Sequence, residues 1–424
     1  MASKISTFQS LAIRDFRLLW FGQIGVSLGS WMDQTARSWL IYEVTHSALQ
    51  LGLVNAVRGV PQLIFGVVAG VLADRYNRKL QLNISQIANV VLNLILATLL
   101  VTHSIQVWHI YATGFLAGTV QAFQQPARQV LVSDLVDKKH LFNAISLNSA
   151  AGNGSRIVGP AICGLLIEAF GLGVSYYVQA AMYVLATVWT FQIREPQSHV
   201  PRETSQAPIF RSFFSSTAEG FHYIFSNKII LSLMILSLAP MLLAAPYINL
   251  LPLFAIDVFH GDASTQGLIF TVGGVAAIIG ALIAASFGNK LSSTKILIGT
   301  AAGYGLGVML FGRSPVLIMA LGATFFSTVC FTQYQAQNQT ILQTISPAYI
   351  RGRVLGVYML SNSLYPIGSL LAGAMAAWWG GPMAVTLMGA SSLVIVLAIA
   401  LFSRSLWRVD LTAEREKAEP TPSV

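Results

Sequence analysis

The sequence predicts an all-α membrane protein, with twelve transmembrane helices in two pseudo-symmetric six-helix bundles. Composition is the first reason: 54% of the 424 residues are hydrophobic, 10% are charged, and the mean hydropathy is +0.65. Soluble domains are about a quarter charged, so this chain cannot cover itself with polar groups in water. Apolar runs of roughly twenty residues are the second reason, and they are continuous rather than alternating, which requires helical crossings. Charge distribution is the third. Of the 25 Lys and Arg residues, 21 fall on one side of the spans, Arg37, Arg58 and Arg156 fall inside them, and Arg313 falls opposite. This positive-inside asymmetry accounts for the net charge of +9 and argues against nucleic acid as a partner.

Taken in order, the spans fall at 18–43, 49–72, 80–102, 106–125, 142–168, 172–193, 229–257, 264–288, 294–312, 315–338, 352–378 and 384–403. An even number places both termini in the cytoplasm. Met1 to Arg17 is polar and basic without a cleavable leader pattern, so span one is expected to act as the insertion signal. The expected organisation is an N-terminal bundle over 1–193, a cytoplasmic linker over 194–227, a C-terminal bundle over 228–404 and a charged tail over 405–424. Within the linker, Phe210, Phe213, Phe214, Phe221 and Phe225 recur at roughly helical spacing among polar residues, as in a helix lying in the headgroup layer. A weak repeat at an offset near 210 residues sets Gly70–Asp74 against Ala281–Ala285, consistent with two related halves. Cys163 and Cys330 fall in separate spans and read as small core residues.

Polar groups inside a bilayer are costly and mark candidate function. In span one, Asp33 and Arg37 share a helix face four residues apart, next to Trp31 and Gln34. Arg58 in span two falls at similar depth. Asp33 is either a titrating proton-coupling group or a permanent structural partner of the two arginines. Spans four and ten end in amide clusters, Gln121 and Gln124 in one and Gln333, Tyr334, Gln337 and Asn338 in the other. These suit a cavity for a large, partly polar solute, or interhelical hydrogen bonding. Pro240, Pro246 and Pro252 surround Tyr247 and Asn249 in span seven and permit bending there. Span five carries Arg156, Gly159 and Pro160 in a Gly-rich stretch suited to close helix contact.

Between spans two and three lies Gly70-Val-Leu-Ala-Asp74-Arg75-Tyr-Asn-Arg78-Lys79. This turn resembles the signature loop of the major facilitator superfamily, which implies that superfamily's fold and gives Gly70, Asp74, Arg75, Arg78 and Lys79 the role of a cytoplasmic gate. Phe16-Arg-Leu-Leu-Trp20 with Gly22-Gln23, and Pro126, Asp134-Leu135-Val136 and Asn148-Ser149 leading to Gly159-Pro160, resemble the branch containing enterobactin exporters and macrolide efflux proteins. Leu342-Gln343-Thr344 with Arg351-Gly352-Arg353-Val354 is similar to that branch's span ten–eleven loop. Gly159-Pro160 also resembles the superfamily's antiporter motif, although Cys163 stands where Gly is usual. Span four lacks the arginine that many drug/proton antiporters carry, with Gln121 the nearest polar group.

The chain contains neither HExxH nor G-x-x-x-x-G-K-[ST], and its seven His residues fall at span ends or in loops. Metal-dependent catalysis and ATP-driven pumping are therefore not expected, nor is any cofactor. The resemblance implies a monomeric secondary transporter of the bacterial plasma membrane, exporting a siderophore, drug or other amphiphile in exchange for protons. A proton-coupled importer or lipid flippase of the same fold is the alternative.

Overall fold

The computed structural model describes residues 8–194, 209–291, 294–362 and 364–403, and among these it contains helices and no strands. The first seven residues, the Pro-rich part of the linker and the C-terminal tail lie outside the described residues. The expected spans fall on helical segments, but spans five and six share one run and span seven breaks into five segments, so the count of twelve is consistent without being exact. Among the described residues, seven helices are long and apolar enough to cross a membrane by length and composition alone, one of them the run that holds both spans five and six. Spans one to three are Arg14–Thr45, Ala48–Arg75 and Arg78–Val101. Span four is Val107–Leu135, and spans five and six form the run Lys138–Phe191, divided at Gly171. There φ is +83°, a conformation open to a residue without Cβ, so the chain turns with no intervening loop.

Span seven is Lys228–Val258, followed by Ala263–Leu291, Thr294–Gly312 and Leu317–Ile345 for spans eight to ten. Span eleven comprises Ala348–Asn362 and Tyr365–Trp379, and span twelve is Gly381–Phe402. Spans four and ten run past the expected ends at 125 and 338. The polar stretch Gln124-Gln125-Pro126-Ala127-Arg128 reads as an exit from the membrane. Instead Pro126 lies within the helix, and Gln124 and Arg128 are buried against neighbouring spans.

The described chain forms two compact units. One contains the described residues of Met1–Thr204 together with Ala255–Gly274, and the other those of Ser205–Phe254 and Val275–Val424. In the first unit, Phe16, Leu19, Leu82, Leu131 and Leu147 form a core near the Gly70–Lys79 turn. Trp39, Ala255 and Ala263 form another at the opposite end. Spans one and five cross closely. A Cβ built on Gly159 would stand 2.9 Å from Trp31 Cβ and 3.3 Å from the Leu28 carbonyl, so glycine permits the contact.

In the second unit, Ile230, Leu233, Leu297, Tyr334 and Val354 make the core. Span seven changes its ladder at the prolines, passing from α-helix into a π-helical stretch at Pro240–Ala244 and a 3-10 stretch at Ala245–Leu250. Proline supplies no N–H, and the regular i→i−4 pattern gives way there. The linker helix Ile209–Ser226 packs on the start of span eleven, where Arg353 pairs with Glu219 and Tyr223 meets Tyr349 edge-on. Phe221 and Phe225 remain exposed.

Candidate functional site

Helical periodicity places Asp33 and Arg37 one turn apart, and the packing of spans two and four completes their surroundings. Arg37 Nη2 donates to Asp33 Oδ1 at 2.6 Å and its Nε to Oδ2 at 3.4 Å. Its remaining donor, Nη1, reaches the Ile110 carbonyl at 3.0 Å and Thr113 Oγ1 at 2.8 Å on span four. Arg58 Nη2 approaches Asp33 Oδ2 from span two at 3.3 Å. Asp33 and Arg37 are almost fully enclosed, and the Arg58 side chain keeps 14% of its surface. The carboxylate thus ties three helices together through charge-assisted bonds. Near it, Trp31 carries the Arg156 guanidinium over its ring at 5.4 Å, and Gln34 is half-buried. Pro160 offers its carbonyl against Gly267 of span eight.

At the span two–three turn, Arg78 Nη1 pairs with Asp134 Oδ2 at 2.7 Å, and Arg78 Nε caps the Ala73 carbonyl at 2.9 Å. The turn is thereby tied to the end of span four. Arg75 is exposed, Lys79 is half-buried and Gly70 faces open space, while the Asp74 side chain lies outside those described. Arg351 makes the same contact five residues back, from Nε to the Ser346 carbonyl at 3.1 Å.

The amides of spans four and ten separate into different roles. Gln121 is exposed, whereas Gln124 is 5% exposed and its Nε2 has no protein acceptor. In span ten, Gln333 Nε2 donates to the Gly280 carbonyl at 2.5 Å and the Tyr334 hydroxyl to the Leu236 carbonyl at 2.7 Å. Asn338 bonds Ser237. These three link spans. Gln337 is buried with no bonding partner at either side-chain atom. In span seven, Tyr247 packs against Phe311 and Asn249 Nδ2 bonds Ser369 Oγ at 2.7 Å. Tyr247 and Asn249 are buried.

Several polar residues in the interior were not singled out from sequence. Span three buries Asn83, Gln86, Asn89 and Asn93 on one face, and their spacing of three, three and four residues is the signal that identifies them. Arg128, assigned to the cytoplasmic side by the early end given to span four, is 5% exposed. Tyr183 on span six is also buried. At the other end of the first unit, the Tyr42 hydroxyl donates to Asp257.

Long apolar helices with an ion triad and amides buried at span depth define a multi-pass membrane protein. The chain belongs to the transmembrane secretion effector family, within the major facilitator superfamily, with the match running over residues 5–423. It is 28% identical over 396 residues to the staphyloferrin A transporter of Staphylococcus aureus, covering 89% of this chain and 94% of that one. Macrolide efflux protein A of Streptococcus pyogenes is 26% identical, with 85% and 89% covered. The enterobactin exporter EntS of Citrobacter koseri is 24% identical, with 87% and 86% covered. The branch suggested by the motifs of spans one, four and five is thus the one found, and its members are transporters rather than enzymes. Among solved structures, the nucleoside transporter NupG superposes with a TM-score of 0.74 at 14% identity, covering 92% of this chain and 99% of that one, a likeness of fold.

Proposed function

We propose that this protein exports a small organic solute across the bacterial plasma membrane, as a monomer with both termini cytoplasmic, by alternating access coupled to proton entry. Similarity along nearly the whole chain to exporters of siderophores and drugs supports the direction. The Asp33 triad carries the coupling, since Asp33 is the one buried carboxylate among the described residues. Ionised, it holds spans one, two and four together through Arg37 and Arg58. A proton on Asp33 weakens both ion pairs and frees the arginines to re-pair, so carboxylate charge and helix arrangement change together. The Gly70–Lys79 turn acts as the cytoplasmic gate, through Asp74, Arg75, Arg78 and Lys79. Solute contact is assigned to Trp31, Gln34, Gln121 and Gln124 within the first unit and, within the second, to Gln337 together with Tyr247, Asn249, Gln333, Tyr334 and Asn338.

The test is uptake of a compound panel into inverted membrane vesicles, with the proton gradient intact or collapsed. Gradient-dependent accumulation, abolished in Asp33→Asn, is the expected result. Accumulation insensitive to the gradient, or unchanged proton-dependent transport in Asp33→Asn, would remove Asp33 as the coupling group. Accumulation only in right-side-out vesicles would reverse the direction.

A further inference from the structure

The polar interior of the first unit contains a cation that the ion triad does not use. Arg128 is 5% exposed, yet neither Nη1 nor Nη2 has a protein acceptor within hydrogen-bonding distance. The other span-embedded arginines of this unit have assigned contacts. Arg37 bonds Asp33, Ile110 and Thr113, Arg58 pairs with Asp33, and Arg156 lies over Trp31. One turn away on the same face as Arg128, Gln124 also has an unmatched Nε2 donor. On span three, Asn83 Oδ1 and Gln86 Oε1 are unmatched acceptors. Charge tells the same story. Arg37 and Arg128 are buried, Arg58 keeps 14% of its side-chain surface, and Asp33, the one buried carboxylate among the described residues, is already paired with Arg37 and Arg58. Arg128 is therefore a buried cation where desolvation makes uncompensated charge expensive.

We infer that Arg128, assisted by Gln124, anchors an oxyanion carried by the transported solute, so that the substrate class is acidic organic molecules bearing carboxylate groups. A planar guanidinium with two free Nη groups matches a carboxylate in fork geometry, which neither a neutral amide nor a cation reproduces. This inference rests on the reading of the protein as a solute exporter and specifies what it carries.

The experiment uses the purified full chain. Thermal stabilisation is measured with phthalate, salicylate, tricarballylate and citrate, and with the corresponding neutral carboxamides. The expected result is that at least one acid stabilises the wild type while its carboxamide does not. Arg128→Gln weakens that acid's binding by roughly ten- to a hundredfold, the loss expected for one charge-assisted contact, and removes the distinction between acid and amide. Arg128→Lys, which keeps the charge, retains part of it. A purely structural role for Arg128 lowers the melting temperature of Arg128→Gln but leaves its acid/amide ratio the same as that of the wild type. Equal stabilisation by acids and amides, no stabilisation by any acid, or an unchanged ratio in a folded Arg128→Gln protein overturns the inference. The two readings fail separately. Gradient-driven accumulation of only neutral or cationic compounds leaves export standing and removes the anion site. Acid binding at Arg128 without vesicle accumulation of any compound does the reverse.

Discussion

Arg37 and Arg58 both pair with Asp33, but the geometry makes them unequal, and that difference can be measured. Arg37 gives two bonds to the carboxylate and two to span four, at 3% side-chain exposure. Arg58 gives one contact at 3.3 Å and keeps 14% exposure. Replacing Arg37 with Met leaves the Ile110 carbonyl and Thr113 without that donor and removes the closer cation from a buried carboxylate. Breaking such a pair from one side costs roughly 3–5 kcal/mol. Replacing Arg58 with Met removes a single charged contact from a less enclosed side chain, at about 1.5–3 kcal/mol. The assay is denaturant unfolding of the purified protein in detergent, with Asp33→Asn combined with each arginine variant to close a double-mutant cycle. The expected order is Arg37 well above Arg58, with the larger coupling to Asp33 also at Arg37. Equal costs, or a larger cost at Arg58, would refute the assignment of Arg37 as the principal partner.

Gly159→Ala pushes a methyl group against Trp31 Cβ and the Leu28 carbonyl, and overpacking of this kind costs about 1–3 kcal/mol in unfolding measurements. Arg78→Ala and Asp134→Ala remove the two halves of one ion pair, so the double variant should be little less stable than the worse single one, and additive losses would deny the pairing. Asp262 accepts bonds from Ser264 Oγ at 2.6 Å and the Thr265 N–H at 3.1 Å, and the Ser264 hydroxyl is the main reason its carboxyl titrates below the usual carboxylate range. Its contribution is therefore complete above the unfolded value of about 3.9 and is lost as pH falls through the lower folded value. Asp262→Asn should be less stable than wild type at neutral pH and converge with it in strong acid, as read by unfolding across pH. Asp74→Ala is expected to slow vesicle transport while solute binding persists, and wild-type turnover would remove it from the gate.

Much of the architecture was legible because hydrophobic length and lysine–arginine bias are strong, local signals. The Asp33–Arg37 pair followed from helical spacing alone, and Arg58 joined it because depth can be counted from a span end. Span four shows where such reading stops. Gln124, Gln125 and Arg128 around Pro126 have the composition of an exit into water, and only the packing of spans one and three around them shows that the helix continues. The amides of span ten illustrate the complementary difficulty. Gln333, Tyr334 and Asn338 have the same composition whether they face a solute or a neighbouring helix, and the choice depends on which carbonyl or hydroxyl lies opposite. The Asn83–Asn93 face was readable by period but was hidden within an apolar run. Tyr42 and Asp257, 215 residues apart, offered no local signal.

Span seven departs from the regular α-helical ladder between Pro240 and Leu250. A rod already re-pitched over that stretch can change curvature by exchanging one hydrogen-bond register for another, whereas a uniform helix must first break bonds to do so. Its neighbours can tilt while this segment acts as the compliant joint, and backbone amides there should exchange with deuterated solvent ahead of those in Lys228–Ala239.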